Sequence, residues 1–290
     1  MVRLGVIRSV LSCMIAGAAL LWSAVVAAEP PLPIFDAHIH YSENAWKDVP
    51  TARAFDMFAK AGVPRALVSS SPDDGTLRLR KADPSRVVAI LRPYRAGVHQ
   101  SNWLEDPGLI DYLSARLKQG TYAGIGEFHV LDPTAEASPR LTDVVRLAVR
   151  HGIVVHIHSD AGPVKRIFAD VPEAKVIWAH DGMTEPADVV GAMLDRYPNL
   201  WTEVSFRAEA ISPGGKLDPA WGALIVRHKD RFLIGSDTYI AERWERYTRL
   251  IDRHRDWLRQ LPHPVAEAVA YRNAVRLFGD GGQPGLKSAN

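Results

Sequence analysis

Eight short apolar runs with β-forming character recur along this 290-residue chain, at 34–40, 65–71, 87–93, 123–130, 153–159, 175–181, 200–206 and 231–237. Between them lie amphipathic stretches with ordinary helix stop signals, at 51–61 before Gly62, 107–119 before Gly120 and 141–151 before Gly152, with further helical stretches at 185–196, 219–228 and 241–260. Strand and helix alternating in this way, at intervals of roughly 20 to 35 residues, is the pattern of a (β/α)8 barrel. A doubly wound open sheet is the competitor, but it would leave the polar ends of the eight runs without a common destination. The expected fold class is therefore α/β, a single-domain (β/α)8 TIM barrel over residues 29–280.

Those polar ends carry the chemistry. In the stretch IFDAHIH, residues two apart share a face of an extended strand, so Asp36, His38 and His40 are expected to point one way and Phe35, Ala37 and Ile39 the other. Two imidazoles on one face either chelate a divalent metal or are unrelated buried histidines satisfied by neighbours. The remaining runs favour the metal. Glu127 and His129 share a parity on the fourth run, His156 and His158 on the fifth, His180 ends the sixth and Asp237 the eighth, so six of the eleven histidines fall on a few strands. In a barrel the C-terminal strand ends converge on one face, and histidines and carboxylates meeting there from several strands make a site.

The strings FDAHIH, GIVVHIH, VIWAHDG, LIGSD and RNAVRLFG, in this order and spacing, resemble the amidohydrolase superfamily, specifically its amidohydrolase-2 branch of metal-dependent hydrolases and decarboxylases. The resemblance spans essentially everything after the leader. It implies a barrel holding one or two divalent metals, usually zinc, at the strand ends. His38 and His40 match the first-strand ligands, His158 the fifth-strand ligand, His180 the sixth-strand histidine and Asp237 the eighth-strand aspartate. His156 falls one layer deeper and is read as a structural barrel histidine. Glu127, in GIGEFHV, matches a metal-ligating glutamate of the related TatD branch that many amidohydrolase-2 members lack. It is counted here as a ligand that would bridge two ions; the alternative is an acceptor that orients a ligand histidine.

Histidines and carboxylates without thiolate suit a catalytic zinc-like site, in which Asp237 would take a proton from water and pass it to the leaving group. His180 would bind a second metal or steady a developing oxyanion. For the substrate, Arg92 after the third run and Arg207 after the seventh offer guanidinium forks for an anionic group. Trp46, His129 and Tyr239 are candidate pocket walls. The expected function is hydrolysis of an ester, lactone or amide of a small organic compound, neutral or anionic. The alternatives are decarboxylation of an unsaturated or aromatic acid, and a noncatalytic metal-binding barrel.

Residues 1–28 read as a Sec-type signal peptide, with arginines at 3 and 8, an apolar stretch at 10–26 and Ala27-Ala28 before Glu29-Pro30. This implies a periplasmic or secreted protein with no stable membrane insertion after cleavage. The single cysteine, Cys13, lies within that leader, so no disulfide or thiolate site is expected beyond it. A net charge of +2, from 35 basic and 33 acidic residues, gives nucleic acid nothing to hold. Residues 281–290 read as a flexible tail, and a homo-oligomer is left open.

Overall fold

The computed structural model describes residues 31–132 and 138–286, so the expected signal peptide lies outside the described residues. The unit over residues 32–290 is built on eight parallel strands in sequence order. They are β1 (Phe35–Ile39), β2 (Arg65–Val68), β3 (Val87–Leu91), β4 (Tyr122–His129), β5 (Val154–His158), β6 (Val176–Trp178), β7 (Leu200–Glu203) and β8 (Phe232–Leu233). Residues beyond β8 close the ring onto β1: Ala37 N–H donates to Ile234 O at 2.7 Å, Asp237 N–H to His38 O at 2.8 Å and His40 N–H to Thr238 O at 2.8 Å. The expected (β/α)8 barrel is the fold found.

The strands are apolar on both parities because both faces are covered, one by the barrel interior and one by helices. All five residues of β1 and of β3 are buried. A helix of nine residues or more follows each strand: α1 (Thr51–Lys60), α2 (Asp74–Ala82), α3 (Leu109–Leu117), α4 (Pro139–Arg150), α5 (Ala161–Asp170), α6 (Ala187–Arg196), α7 (Pro219–Arg227) and α8 (Tyr247–Leu258). In α4, Leu141, Val144, Val145 and Ala148 recur at helical spacing and are the buried face. Pro219 opens α7, where Asp218 accepts hydrogen bonds from the Ala220 and Trp221 N–H groups at 2.9 and 3.1 Å. Gly62 and Gly152 leave their helices at φ 62° and 68°, the left-handed turn that their side-chain-free backbone permits.

Several elements differ from the expectation. Helices α2 and α5 escape the sequence pattern because Gly75 and the Gly162-Pro163 pair read as breakers, yet Pro163 sits in the first turn of α5, where a helix needs no N–H from it. The stretch 241–260 is two helices, Ala241–Glu245 and α8, separated at Arg246, with Trp244 and Tyr247 both buried. Residues 281–286, expected to be loose, fold back on the barrel: Leu286 is fully buried and the Gln283 amide donates to Ser85 Oγ at 2.9 Å. Asp36 also departs from strict alternation. The β1–β2 register shifts between Asp36 and Ile39, and the Asp36 carboxylate accepts from its own strand's His38 N–H, from Ser236 N–H and from the Tyr247 hydroxyl of α8. It therefore leaves the face of the histidine pair. Among the described residues, no helix is long and apolar enough to cross a membrane.

Candidate active site

The strand ends do bring the anticipated histidines and carboxylates together. The Nε2 atoms of His38 and His40 lie 3.1 Å apart, a separation at which two ring nitrogens repel unless a proton or a cation lies between them. Each ring is held through its other nitrogen. His38 Nδ1–H donates to Glu203 Oε2 at 2.7 Å, and His40 Nδ1–H to the Ser69 carbonyl at 2.9 Å. His180 Nδ1–H points to the Ser205 carbonyl at 3.2 Å, with Ser205 Oγ 2.8 Å away. These neighbours select the tautomer that leaves all three Nε2 atoms bare and convergent.

Two carboxylates complete the constellation. Asp237 Oδ1 is 3.5 Å from His38 Nε2 and 3.3 Å from His40 Nε2. Glu127 places Oε1 3.6 Å from His38 Nε2, 3.5 Å from His180 Nε2 and 3.0 Å from His158 Nδ1, and Oε2 3.1 Å from His40 Nε2. Glu127 thus reaches all four histidines. Donor atoms of His38, His40 and Asp237 lie within 4.8 Å of one another, as do those of His38, Glu127 and His180, and those of Glu127, His129 and His158.

The electrostatics ask for positive charge. Burial alone would push the His38 ring toward neutrality, but Asp237, Glu127 and Glu203 overcome it and hold its pKa well above the ordinary histidine value. Burial would likewise raise Glu127, and the surrounding rings, His38 first, keep it well below the usual carboxylate range. Asp237 is lowered in the same way, against burial, by His38 and His40. Three carboxylates buried among histidines are stable only with compensating cations. A divalent metal meets that demand, and the buried His180 Nε2, which has no hydrogen-bond partner, is a bare donor for one. The residues present fit a metal.

The backbone is bent to deliver these groups. His180 and Asp237 adopt φ values of 57° and 43°, a left-handed conformation that costs a non-glycine residue about 1–3 kcal/mol and persists only when surroundings enforce it. At Asp237 the enforcement is visible: Arg243 donates to the carbonyls of Asp237 and Ser236 at 2.7 and 2.5 Å.

The constellation floors a cavity of about 390 Å³ lined by His40, Arg92, Gln100, Glu127, His129, His158, His180, Met183, Phe206, Asp237 and Tyr239. Of the candidate substrate residues, Arg92, His129 and Tyr239 lie on this wall. Arg92 is already engaged, donating to Glu127 Oε2 at 2.9 Å and to the Glu127 carbonyl at 3.0 Å. His129 stacks on His158 with ring centroids 4.4 Å apart, and its Nδ1 is 2.8 Å from the Tyr94 hydroxyl. Burial pushes His129 down to about 3, so it is neutral. Arg207 is turned elsewhere, donating to the carbonyls of Met183 and Glu185 beneath the loop after β6. Trp46 donates to the Tyr41 carbonyl at 2.9 Å and is covered by Arg78, 3.9 Å from its ring, which makes it packing behind the wall. His156 lies under the site, its ring 4.5 Å from that of His38, and burial drives its pKa well below the ordinary value. Sequence reasoning missed Glu203, Ser69 and Ser205, the groups that hold the rings. The signal existed for two of them, since Glu203 and Ser205 share a parity at the end of the seventh run.

The amidohydrolase family matches residues 35–279 of the chain. No curated protein matches it in sequence. Among solved structures it is similar to a probable 2-pyrone-4,6-dicarboxylic acid hydrolase from Acinetobacter baumannii, at 14% identity and a TM-score of 0.55, with 86% of this chain and 100% of that one covered. It is similar to a TatD homolog from Escherichia coli, at 15% identity and a TM-score of 0.55, over 84% of this chain and 97% of that one. A third likeness, to N-acetyl-D-glucosamine-6-phosphate deacetylase from Mycobacterium smegmatis, has 16% identity and a TM-score of 0.56 over 86% and 76% of the two chains. At these identities the likeness is one of fold.

Proposed function

Because the chain belongs to the amidohydrolase family, we propose that it is a metal-dependent hydrolase that cleaves an ester, lactone or amide of a small organic compound. The observation that carries this reading is the convergence of the bare Nε2 atoms of His38, His40 and His180 on the carboxylates of Asp237 and Glu127, each ring being tied down through its Nδ1. His38, His40 and Asp237 would hold one ion, and Glu127 would serve a second together with His180 or His158. The donor set of nitrogen and carboxylate oxygen suits zinc, which when bound supplies a Lewis acid and lowers the pKa of water toward 7.

The chain's own residues do the rest. Asp237, kept ionised by the histidines beside it, accepts a proton from the attacking water and returns it to the leaving group. His129, held by Tyr94, and Tyr239 bound the substrate, and the cavity of about 390 Å³ limits it to a small molecule. Arg92 keeps its guanidinium at the wall, where it offers charge to an anionic substrate group as well as to Glu127. The stretch at residues 1–28, read as a signal peptide, supports export, and the reaction would then run in the periplasm or outside the cell.

The test is elemental analysis of the purified mature protein, paired with turnover of an ester, lactone and amide panel before and after chelation. Bound metal and hydrolysis that chelation abolishes and zinc restores are expected. A metal-free protein would overturn the reading, and so would carbon dioxide release without hydrolysis, which would mark a decarboxylase.

A further inference from the structure

Tyr239 is the common wall of two cavities. The second, of about 570 Å³, is lined by Arg243, Arg246, Arg249 and Arg253, with Glu242 as its one carboxylate. Arg246 directly precedes α8, and Arg249 and Arg253 follow at spacings of three and four, which puts the three side chains on one helix face. Like charges so placed repel, and nothing in the packing explains them, because all three are exposed. Other arginines near them are neutralised: Arg255 pairs with Asp252 at 2.9 Å and Arg259 with Asp256 at 2.8 Å. Among the described residues, no carboxylate stands at ion-pair distance from Arg246, Arg249 or Arg253. Arg243 links the two cavities, lying 4.1 Å over the Phe206 ring while it holds the Asp237 carbonyl.

We propose that the arginine-lined cavity is an anion-binding subsite, holding a second, remote carboxylate or phosphate of the substrate whose reacting bond occupies the adjoining cavity. Planar guanidinium forks are the side chains best matched to such oxyanions. The substrate is then an amphipathic small molecule: its hydrolysed group lies over His38, His40 and Asp237, its apolar middle crosses the exposed rings of Phe206 and Tyr239, and its anionic end meets Arg249 and Arg253. This rests on the hydrolase reading above.

The test compares the wild type with an Arg249→Gln, Arg253→Gln double variant. Inorganic sulfate is titrated by calorimetry, and kcat/KM is measured on monomethyl esters of straight-chain dicarboxylic acids of increasing length, each beside the same ester with carboxamide in place of the carboxylate. The wild type should bind sulfate and prefer the carboxylate esters by roughly tenfold, as a charge-assisted hydrogen bond provides. The double variant should bind sulfate about tenfold more weakly and lose the preference through KM, with the carboxamide esters turned over as before. Equal sulfate affinity in the two proteins would overturn the subsite. Weakened sulfate binding without any preference in the wild type would mean a free anion is bound, overturning the assignment to the substrate. If no ester of either kind is hydrolysed, the hydrolase reading fails, and the sulfate titration alone decides whether the arginines bind anions.

Discussion

Glu203 Oε2 accepts a hydrogen bond from His38 Nδ1–H at 2.7 Å, and both side chains are buried. The same carboxylate receives the Ser205 hydroxyl at 2.8 Å and the Ser205 N–H, so it is immobilised at the end of β7. Glu203 therefore sets the direction and basicity of a ring 165 residues away in sequence. Glu203→Gln preserves shape and removes the charge. It should lower metal affinity by about 10- to 100-fold, measured by competition with a chromophoric chelator. Unchanged affinity would mean that Glu203 only fills space.

Gly235 tests the same pair from the backbone. A Cβ at this position would land against the Glu203 carboxylate and 2.7 Å from His38 Cβ, closer than real Cβ atoms approach. Gly235→Ala should force His38 and Glu203 apart, with turnover falling by at least about tenfold, the scale of losing a hydrogen bond to a charged group. Circular dichroism should still report a folded barrel. A variant with wild-type activity would show that the pair need not be held this closely.

The site residues that were legible in the sequence share one property: each ends an apolar run, where strand alternation gives its direction. His38, His40, Glu127, His158, His180 and Asp237 met that condition, and they converge. Glu203 met it too, but a lone carboxylate in LWTEVSF has no histidine at a two-residue spacing to draw attention to it. Asp36 was misplaced because alternation assumes an unbroken register, and β1 shifts its register at that point. Arg207 and Trp46 sit beyond strand ends, where loop geometry decides direction and no short-range pattern encodes it. The barrel itself was legible as a repeat, whereas α2 and α5 were hidden by glycine and proline whose cost depends on their position within the turn.

Arg92 grips Glu127 twice, through the carboxylate at 2.9 Å and the main-chain carbonyl at 3.0 Å. Lysine can supply the charge but not the two-point fork. Arg92→Lys should leave Glu127 less well held and lower kcat by roughly 10-fold, and Arg92→Gln should lower it further, since a charge-assisted hydrogen bond is worth about 1.5–3 kcal/mol. Steady-state kinetics on the two variants decides the matter. Equal activity in both would mean that neither the charge nor the fork matters to Glu127.

His254 carries a pH dependence of the fold itself. It lies buried in α8, its Nε2 3.0 Å from the Gly235 carbonyl, and burial pushes its pKa down from 6.5 to about 4. Between those values the unfolded chain takes up a proton that the native ring refuses, so this contribution is complete above pH 6.5 and is lost as pH falls toward 4. At about 1.4 kcal/mol per pH unit, His254 should cost the fold about 2 kcal/mol between pH 6.5 and pH 5. Glutamine at this position keeps a donor for Gly235 and does not titrate. His254→Gln should therefore be less stable than the wild type at pH 7 by the imperfect fit alone, with the gap narrowing by about 2 kcal/mol at pH 5. Urea unfolding of both proteins at the two pH values reads this directly. A gap of the same size at both would show that the native ring takes up its proton as readily as the unfolded chain does.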